Sequence, residues 1–384
     1  MVTQSALIFL FAGYEYLTLM HFPSLPPKTV QRQPLPTVSI ILPVRNQATT
    51  ARECLNSLAE LNYDNKEIIV VDGQSSDGTT EIIDEYRDRV TMVEEGPLPV
   101  GWVGKNWACQ QGYEKSRGEL LLFTDGDSIH SRDSLRRTVA YLQSTKADIL
   151  TLAPSTILKS FWEKTLQPPI FLLIMLLVGG KQVNDDKRPN AIGNGQYMLF
   201  RRHVYEKIGG HARVRERIVE DYALARLAKK AGFRLRFVTG KDALGVRMYD
   251  SLSGIWRGWR KNFYTVSEKW MFWRAVLRNV LMFLFFVMPF ITLAYGISLI
   301  PVNPVNVPLL TGAFMVFWLW LGTIILYRSI NVNPLYALLF PLATLIYIGI
   351  GIDSTIRGSL GLGFSWKGRI YGRQIQRESE SAIR

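Results

Sequence analysis

The chain has 384 residues, which is enough for one α/β domain and a second module. It carries 45 Lys and Arg residues against 32 Asp and Glu residues, and the resulting formal net charge of +13 suits an anionic membrane surface or phosphate-bearing substrates. The two cysteines form no CxxC pair and the four histidines form no HExxH motif, which excludes a disulfide scaffold and that zinc site. From Val276 onward the sequence becomes almost continuously apolar, so the basic residues favour a membrane partner over nucleic acid.

An apolar stretch, Ser5–Met20, lies near the start of the chain. It contains Glu15 and is shorter than the roughly 20 residues that a transmembrane helix needs, so residues 1–22 are expected to form either a marginal anchor or an interfacial helix. It lacks the basic start of a secretory signal. Lys28 and Arg32 follow it in a proline-rich linker and favour a cytoplasmic far side.

Strands and helices alternate from about residue 37 to residue 239. The predicted strands are VSIILPV, EIIVVD, VTMVEE, ELLLFTD, ADILTL and RLRFVT. This alternation predicts a mostly parallel, Rossmann-like sheet with flanking helices. The ligand crevice of such a sheet lies beyond the carboxyl ends of its strands, where Asp72 and the pair Asp125 and Asp127 stand.

The segment FTDGDSIH places Asp125 and Asp127 on either side of a glycine, directly after a buried strand. Two carboxylates aimed at one point suit a hard cation, so the pattern predicts a Mg²⁺ or Mn²⁺ site that also holds a diphosphate. The alternative interpretation is an ordinary acidic turn. Asp72 ends the strand EIIVVD, where its carboxylate is expected to accept hydrogen bonds from a nucleobase or a ribose.

Lys105 opens a predicted helix in PLPVGWVGKNWACQQG. An ammonium beside backbone N–H groups at a helix start favours phosphate, and the alternative is a solvated lysine on a glycine turn. Glu220 and Asp221 begin another predicted helix. They either complement the helix dipole or include a general base that deprotonates an acceptor hydroxyl.

The segment IWRGWRKNFY brings Arg257, Trp259, Arg260 and Lys261 together just before the first long apolar segment. One interpretation is that these side chains snorkel at a membrane interface. The other is that a planar guanidinium and an aromatic face stabilise a leaving diphosphate.

Three apolar segments are each long enough to span a membrane: Asn279–Ile300, Val307–Tyr327 and Pro334–Ile352. The sequence therefore predicts a transmembrane region over residues 276–353 and a basic tail over residues 354–384. Arg328 lies in the connection between the second and third segments and places that connection on the cytoplasmic side. If every segment crosses the membrane, the basic tail then lies outside. If Pro341 breaks the last segment into a re-entrant hairpin, the tail returns to the cytoplasm. A shorter patch, Ile170–Val178, is expected to rest in the membrane interface.

Taken in order, these segments resemble a family-2 inverting glycosyltransferase with the GT-A fold, which the domain over residues 37–265 is therefore expected to adopt. The resemblance implies that Asp72 binds the nucleoside and that Lys105 lies against the nucleotide. It also implies that Asp125 and Asp127 are the DxD motif that holds the metal and the diphosphate.

The same resemblance implies that Asp221, in the pair with Glu220, is the catalytic base. The stretch GNGQYMLFRR, which contains Gly195 and Gln196, is similar to the family's loop near the acceptor. The family's (Q/R)xxRW element matches at Arg257 and Arg260, but its closing tryptophan is a lysine here, which argues against synthesis of a long polymer.

The segments GWVGKNWA, RGWRKN and WKGR are more similar to the bacterial lipid-modifying branch of the family. This branch includes carotenoid glycosyltransferases of the chlorobactene and diaponeurosporenoate type and hopanoid-associated glycosyltransferases. The resemblance therefore implies a polyisoprenoid acceptor, either a carotenoid or a hopanoid.

The resulting prediction is a multi-pass enzyme of the inner or plasma membrane whose catalytic domain is cytoplasmic. It would transfer a sugar from a nucleotide-sugar donor to a lipid acceptor by metal-dependent inversion. Asp221 would deprotonate the acceptor, Arg260 and the metal would stabilise the diphosphate, and Glu220, Arg257 and Trp259 would line the substrate site. The alternatives are the same chemistry on ceramide, diacylglycerol or polyprenyl phosphate, and a non-catalytic membrane protein that binds a nucleotide sugar or a lipid.

Overall fold

The structure is a computed structural model that describes residues 23–27, 34–178, 180–263 and 271–371. The predicted N-terminal anchor and the end of the basic tail lie outside these ranges. The described residues form a sheet domain, residues 34–263, and an apolar helical region, residues 271–359.

The sheet domain is built on eight strands in the order β3-β2-β1-β4-β7-β6-β8-β5. The strands are β1 (Val38–Val44), β2 (Lys66–Asp72), β3 (Thr91–Glu94), β4 (Leu120–Phe123), β5 (Ser128–His130), β6 (Ile149–Thr156), β7 (Met198–Arg201) and β8 (Leu235–Val246). Strands β3, β2, β1 and β4 pair in parallel, and β6 pairs in parallel with β8. Strand β7 is antiparallel to both β4 and β6, and β5 is antiparallel to β8.

The predicted α/β fold is confirmed as a mixed sheet with flanking helices. The sequence analysis missed the two shortest antiparallel strands, β5 and β7, which have 3 and 4 residues. A strand of this length shows too few alternations of apolar and polar residues to stand out from a loop.

Ten helices are described in the sheet domain. They are α1 (Ala48–Ala59), α2 (Thr79–Asp84), α3 (Gly104–Lys115), α4 (Ser134–Ser144), α5 (Phe161–Val178), α6 (Gly180–Val183), α7 (Arg202–Lys207), α8 (Gly210–Arg213), α9 (Glu220–Lys230) and α10 (Leu252–Phe263). The apolar region adds α11 (Met271–Phe286), α12 (Met288–Ser298), α13 (Val307–Ser329), a 3-10 helix (Pro334–Leu339) and α14 (Phe340–Ser359).

Strand β1 is buried on both faces, and its alternate side chains enter two different apolar clusters. Ile40 packs in the cluster that contains Cys54 of α1, whereas Ile41 packs in the cluster that contains Cys109 of α3. Helix α3 approaches the sheet at Gly112, where a Cβ atom would lie 2.5 Å from Cγ2 of Ile41. This close packing fixes the start of α3 at the carboxyl edge of the sheet.

Helix α5 joins the sheet domain to the apolar region, and its interior contains Pro168 and Pro169. Because Pro169 has no N–H group, it cannot donate to the carbonyl of Thr165. That carbonyl accepts a hydrogen bond of 3.3 Å from the hydroxyl of Tyr327 in α13, and the neighbouring carbonyl of Leu166 accepts one of 3.0 Å from Tyr347 in α14. Two buried tyrosines thus tie the apolar helices to the break in α5.

Among the described residues, two helices are long and apolar enough to cross a membrane, Val307–Ser329 and Pro334–Ser359. The bent pair Ala275–Phe286 and Met288–Ser298 would make a third if it is one span. Pro341 stands in the first turn of α14, so it does not break the last segment into a re-entrant hairpin.

The chain returns to the sheet domain after α14 as a two-stranded hairpin, β9 (Phe364–Trp366) and β10 (Arg369–Tyr371). Its turn residues, Lys367 and Gly368, have φ angles of 47° and 78°, as a tight two-residue hairpin turn requires. The Nε atom of Arg45 donates a hydrogen bond of 2.8 Å to the carbonyl of Lys367. Arg369 forms an ion pair with the buried carboxylate of Glu95, so the hairpin covers the carboxyl ends of β1, β2 and β3.

Candidate active site

Three predicted site residues meet at the carboxyl edge of the sheet. Lys105, in the first turn of α3, places its Nζ atom 2.6 Å from Oδ1 of Asp125, which follows β4. The same ammonium lies 2.8 Å from Oε1 of Glu220, the first residue of α9. The ammonium of Lys105 and the carboxylates of Asp125 and Glu220 therefore meet at one point, although they come from α3, the end of β4 and α9.

Gly195 makes this approach possible. A Cβ atom at Gly195 would lie 2.7 Å from Nζ of Lys105 and 3.5 Å from Oδ2 of Asp221. The backbone N–H group of Gly195 donates a hydrogen bond of 2.8 Å to Oδ2 of Asp221. Gln196 is buried, and its carbonyl accepts a hydrogen bond of 2.8 Å from Thr124, so it supports the loop rather than extending toward solvent.

Asp221 has the properties of a proton acceptor. Burial raises the pKa of its carboxyl to about 6, and the charge of neighbouring Glu220 acts in the same direction, while the ammonium of Lys105 opposes both. Oδ1 of Asp221 accepts a hydrogen bond of 2.7 Å from the backbone N–H of Tyr222. A carboxylate with this pKa is ionised at neutral pH and remains basic enough to take a proton.

Asp127 is the least satisfied carboxylate of the cluster. Its Oδ1 atom is buried and has no hydrogen-bond partner among the residues that the structure describes. Burial and the charge of Asp125 together raise the pKa of this carboxyl to about 7, against the opposing charges of Lys367 and Lys105. An orphaned carboxylate oxygen beside a second carboxylate fits a hard divalent cation.

No group of three or more His, Cys, Asp and Glu residues in the described ranges could hold a metal ion. Asp125 and Asp127 therefore fit a cation that takes its remaining oxygen ligands from water and substrate phosphates, as Mg²⁺ does in many phosphate-binding sites.

Asp72 lies at the end of β2 and is buried. Its Oδ1 atom accepts a hydrogen bond of 2.6 Å from the hydroxyl of Ser75, and its Oδ2 atom accepts one of 2.6 Å from Thr80. The carboxylate therefore holds the loop after β2 in shape. Whether it also contacts a nucleoside stays a prediction.

Two lysines that are not among the predicted site residues interact electrostatically with the same carboxylates. Burial lowers the pKa of Lys261, and the charges of Glu220, Asp125 and Asp221 oppose that shift. Burial also lowers the pKa of Lys367 to about 8, against the charges of Asp127 and Asp125. Lys261 occupies the position of the missing family tryptophan, and Lys367 enters from the C-terminal hairpin.

Arg260, predicted to stabilise the diphosphate, contacts α14 in the structure. Its Nη1 atom forms an ion pair of 3.2 Å with Asp353 of α14, and its carbonyl accepts a hydrogen bond of 3.1 Å from Ser354. Arg257 is exposed. Trp259 is buried in an apolar cluster, with its ring centroid 6.1 Å from that of Tyr347, so none of these three side chains is described in contact with the carboxylates. On α10, Lys261 lies toward the carboxylates, whereas Trp259 and Arg260 contact α14.

Residues 39–209 match the family model described as glycosyl transferase family 2. This segment is therefore similar to a family 2 glycosyltransferase domain. The fold of the chain agrees with that of a mannosyltransferase from Pyrobaculum calidifontis that was solved with GDP-Man and Mn²⁺, at a TM-score of 0.55 and 18% identity over 93% of this chain and 97% of that chain. That likeness confirms the predicted GT-A type of fold.

Curated relatives are named for a carotenoid-type substrate. The chain is 27% identical over 233 residues to the 4,4'-diaponeurosporenoate glycosyltransferase of Staphylococcus aureus, and the match covers 59% of this chain and 61% of the relative. It is 22% identical over 231 residues to the protein of the same name from Staphylococcus haemolyticus, covering 59% and 60%. The match thus spans about three-fifths of the length of these relatives, and the predicted resemblance to this branch is confirmed.

Proposed function

We propose that the protein is a membrane-bound glycosyltransferase that transfers a sugar from a nucleotide-sugar donor to a hydroxyl or carboxyl group on an apolar lipid. The observation that carries this proposal is the junction of Lys105 with Asp125 and Glu220 beside Asp221. Lys105 and Asp125 belong to the segment that matches the family 2 glycosyltransferase model, and Glu220 and Asp221 follow it. This cluster lies in a domain that is joined directly to apolar helices.

The donor's diphosphate lies among the three ammonium groups of Lys105, Lys261 and Lys367. All three interact electrostatically with Asp125, so they converge on the same carboxylate. An ammonium brought close to a phosphate in a desolvated site stabilises negative charge more strongly than it does in water. Lys261 and Lys367 thus take the diphosphate-binding role that the sequence assigned to Arg260.

Asp125 and Asp127 hold a divalent cation, Mg²⁺ or Mn²⁺. When bound, this ion supplies Lewis-acid stabilisation of the charge on the diphosphate. The support from this chain is the orphaned Oδ1 atom of Asp127 and the raised pKa of its carboxyl. The related Pyrobaculum calidifontis enzyme was solved with Mn²⁺, which is consistent with such a site but does not select the metal here.

Asp221 acts as the general base. Its carboxylate takes the proton of the acceptor hydroxyl while the acceptor oxygen bonds to the anomeric carbon of the sugar. The bond from that carbon to the diphosphate breaks on the opposite side, so the configuration inverts and the nucleoside diphosphate leaves. The N–H groups of Gly195 and Tyr222 hold Asp221 in position for this step.

The acceptor is an apolar lipid of the carotenoid type. Support comes from the staphylococcal relatives, which are named for diaponeurosporenoate, and from the apolar helices beside the site. Hopanoid, ceramide, diacylglycerol and polyprenyl phosphate acceptors are the alternatives that the test below separates.

The sheet domain faces the cytoplasm, and α14 lies along the membrane surface instead of crossing it. In the 3-10 helix just before α14, the ring of Tyr336 lies 5.9 Å from that of Phe161, and in the second half of α14, Asp353 pairs with Arg260. Both partners belong to the sheet domain, so we place both contacts of this apolar segment on the same side of the membrane.

The exposed side of the segment Pro334–Ser359, which contains the 3-10 helix and α14, carries a row of large apolar residues at helical spacing, which suits lipid. They are Leu338, Leu342, Leu345, Ile352 and Ile356. The hairpin that follows α14 returns to the sheet domain through Arg45 and Glu95, which accounts for a basic tail on the cytoplasmic side.

The test uses the full-length protein in detergent or lipid nanodiscs with a panel of labelled nucleotide sugars, with and without Mn²⁺ or Mg²⁺. Carotenoid, hopanoid, sphingolipid and glycerolipid acceptors are supplied in separate reactions. Metal-dependent label in one lipid class is the expected result. Nucleotide binding without transfer to any class would contradict the proposal and favour a non-catalytic binding protein.

A further inference from the structure

Asp353 is the only Asp or Glu residue in the apolar helical region, residues 271–359. It lies in the second half of α14, and its side chain is 28% exposed. A carboxylate in a segment of this kind is costly, and such residues commonly serve a function together with a specific partner. The groups that Asp353 contacts therefore indicate what its charge contributes.

Asp353 holds two side chains of α10. Its Oδ2 atom accepts a hydrogen bond of 2.8 Å from the indole Nε1 atom of Trp256, and it lies 3.2 Å from Nη1 of Arg260 in an ion pair. Trp256 and Arg260 are four positions apart, so they lie on one face of α10. The hydroxyl of Ser354 donates a hydrogen bond of 3.1 Å to the carbonyl of Arg260. Both the side chains and the backbone of α10 are thus attached to α14 at this point.

The carboxylate of Asp353 is itself held in place by its own helix. The Nε atom of Arg357, one helical turn later, donates a hydrogen bond of 2.9 Å to Oδ1 of Asp353. One carboxylate oxygen is therefore bound within α14, and the other is bound to α10. Because charge-assisted hydrogen bonds fix the geometry of both groups, a rotation of α10 would break these contacts.

Packing of α10 against α14 does not itself require a charge. Trp259 lies in one apolar cluster with Tyr347 and Ile350 of α14. The ring of Trp256 also reaches α14, where a Cβ atom at Gly349 would lie 3.1 Å from its Cη2 atom. Apolar contacts of this kind hold helices together, and a partly buried ion pair adds little to stability. The contribution of Asp353 is therefore the direction in which α10 faces.

The direction of Arg260 determines that of the next residue, Lys261. Successive residues of an α-helix are rotated by about 100° around its axis. While Arg260 points toward α14, Lys261 lies toward the carboxylate cluster, where the charges of Glu220, Asp125 and Asp221 act on its ammonium. A rotation of α10 that released Arg260 from α14 would carry Lys261 away from these carboxylates.

We propose that Asp353 is a positioning residue for sugar transfer, which holds α10 in the orientation that presents Lys261 to the donor diphosphate. This inference rests on the proposed function and extends the donor site to a residue of the apolar region. Asp353 does not touch the donor and acts through Trp256, Arg260 and the helix that carries them. Donor binding by the sheet domain therefore depends on its attachment to α14.

The first experiment measures donor binding by the full-length protein in nanodiscs. Asp353→Asn keeps the size of the side chain and removes its charge. The donor KM and the Kd values of UDP and GDP should rise by roughly tenfold, as for loss of a hydrogen bond to a charged group, and kcat should change much less. Tyr327→Phe removes a hydrogen bond between α13 and α5 and should leave all these values unchanged. Wild-type values in Asp353→Asn would overturn the proposal.

A double-variant cycle separates positioning from a general effect on the fold. Lys261→Met should weaken nucleotide binding by roughly 10- to 100-fold. Asp353→Asn should add nothing in Lys261→Met protein, because the group through which Asp353 acts is gone. Full additivity of the two losses would show that Asp353 acts independently of Lys261 and would reject the proposal.

The position of Lys261 can also be measured without any donor. Acetylation of the full-length protein, followed by mass spectrometry, gives a reaction rate for each lysine. Asp353→Asn should increase the rate at Lys261, whose side chain is then free to leave the carboxylates for solvent. The exposed Lys115 should react at the same rate in both proteins. An unchanged rate at Lys261 would contradict the positioning role, even in protein without transfer activity.

These measurements separate the two proposals. Faster acetylation of Lys261 in Asp353→Asn, without sugar transfer from any donor to any lipid, would support the positioning role and contradict the proposed function. Sugar transfer by the wild-type protein, with an unchanged donor KM in Asp353→Asn, would leave the function intact and reject the role of Asp353.

Discussion

The carbonyl of Lys367 accepts a hydrogen bond of 2.8 Å from Arg45, a residue 322 positions earlier in the chain. This bond joins the end of the first strand to the turn of the C-terminal hairpin. The ion pair of Arg369 with Glu95 is the second attachment, at the end of the third strand. The chain's last described residues thereby become part of the wall of the proposed donor site.

Lys367→Met is expected to weaken donor binding. Hydrogen bonds to charged groups contribute about 1.5–3 kcal/mol, so the donor KM should rise by roughly 10- to 100-fold. Titration calorimetry with the nucleoside diphosphate measures the same loss without turnover. Lys115→Met removes an exposed lysine at the end of α3 and should leave both values unchanged. Equal affinities in the two variants would contradict a role of Lys367 at the diphosphate.

Asp221 should set the acidic limb of the pH profile. Its pKa is raised to about 6, and only the ionised carboxylate accepts a proton, so kcat/KM should fall tenfold per pH unit below about 6 and level off above it. Asp221→Asn should reduce kcat by about 10²- to 10⁴-fold and retain donor binding. Asp88→Asn, at an exposed carboxyl, is the control. A profile that is flat from pH 5 to pH 8 would reject Asp221 as the base.

Asp127→Asn should have opposite effects on stability with and without metal. Replacing a buried carboxylate that has no partner for Oδ1 and lies beside Asp125 removes a desolvation and repulsion cost, so the variant should melt at a higher temperature than wild type in EDTA at pH 8. Excess Mn²⁺ should stabilise wild type more than the variant. Electron paramagnetic resonance measures the bound Mn²⁺ directly, and unchanged Mn²⁺ affinity in the variant would refute the metal site.

Gly195→Ala should disable the site while the fold persists. The added methyl group would lie 2.7 Å from Nζ of Lys105, which must then leave its position between Asp125 and Glu220. Transfer should fall by at least about tenfold, as expected for loss of one charge-assisted contact. Gly322→Ala meets no atom within 4 Å and serves as the matched control. Wild-type transfer by Gly195→Ala would show that this position of Lys105 is not needed.

Cysteine labelling from the two sides of the membrane tests the position of α14. The native Cys54 and Cys109 are each 1% exposed and give little background. Asn303→Cys, in the loop before α13, should react from the side opposite to the sheet domain, whereas Ser359→Cys, at the end of α14, should react from the same side as the sheet domain. Reaction of both from the same side would mean that the last apolar helix crosses the membrane.

The sequence located the parts of the site that depend on neighbours in the chain. Asp125 and Asp127 follow an apolar strand, and Glu220 and Asp221 open a helix, so their positions at the carboxyl edge follow from local pattern and the geometry of α/β sheets. Lys105 is placed in the same way, because it lies at the start of the predicted helix α3. In each case, the position of the polar residue follows from the end of a strand or the start of a helix that can be predicted from the sequence.

The parts that the sequence missed depend on contacts between distant segments. Lys367 enters the site only because a hairpin folds back across the sheet, and no local pattern around it indicates that return. Arg260 and Lys261 are adjacent on one helix, and periodicity cannot decide which faces the site. That choice is made by Asp353, which lies on α14 and pairs with Arg260.

The C-terminal hairpin also sets the order in which the protein can become active. Residues 364–371 are synthesised after every apolar helix, so the ribosome has already delivered those helices to the membrane when Lys367 emerges. A nascent chain that exposes only the sheet domain lacks this wall of the proposed donor site. Under the proposed function, sugar transfer would therefore begin only after the apolar helices have been made.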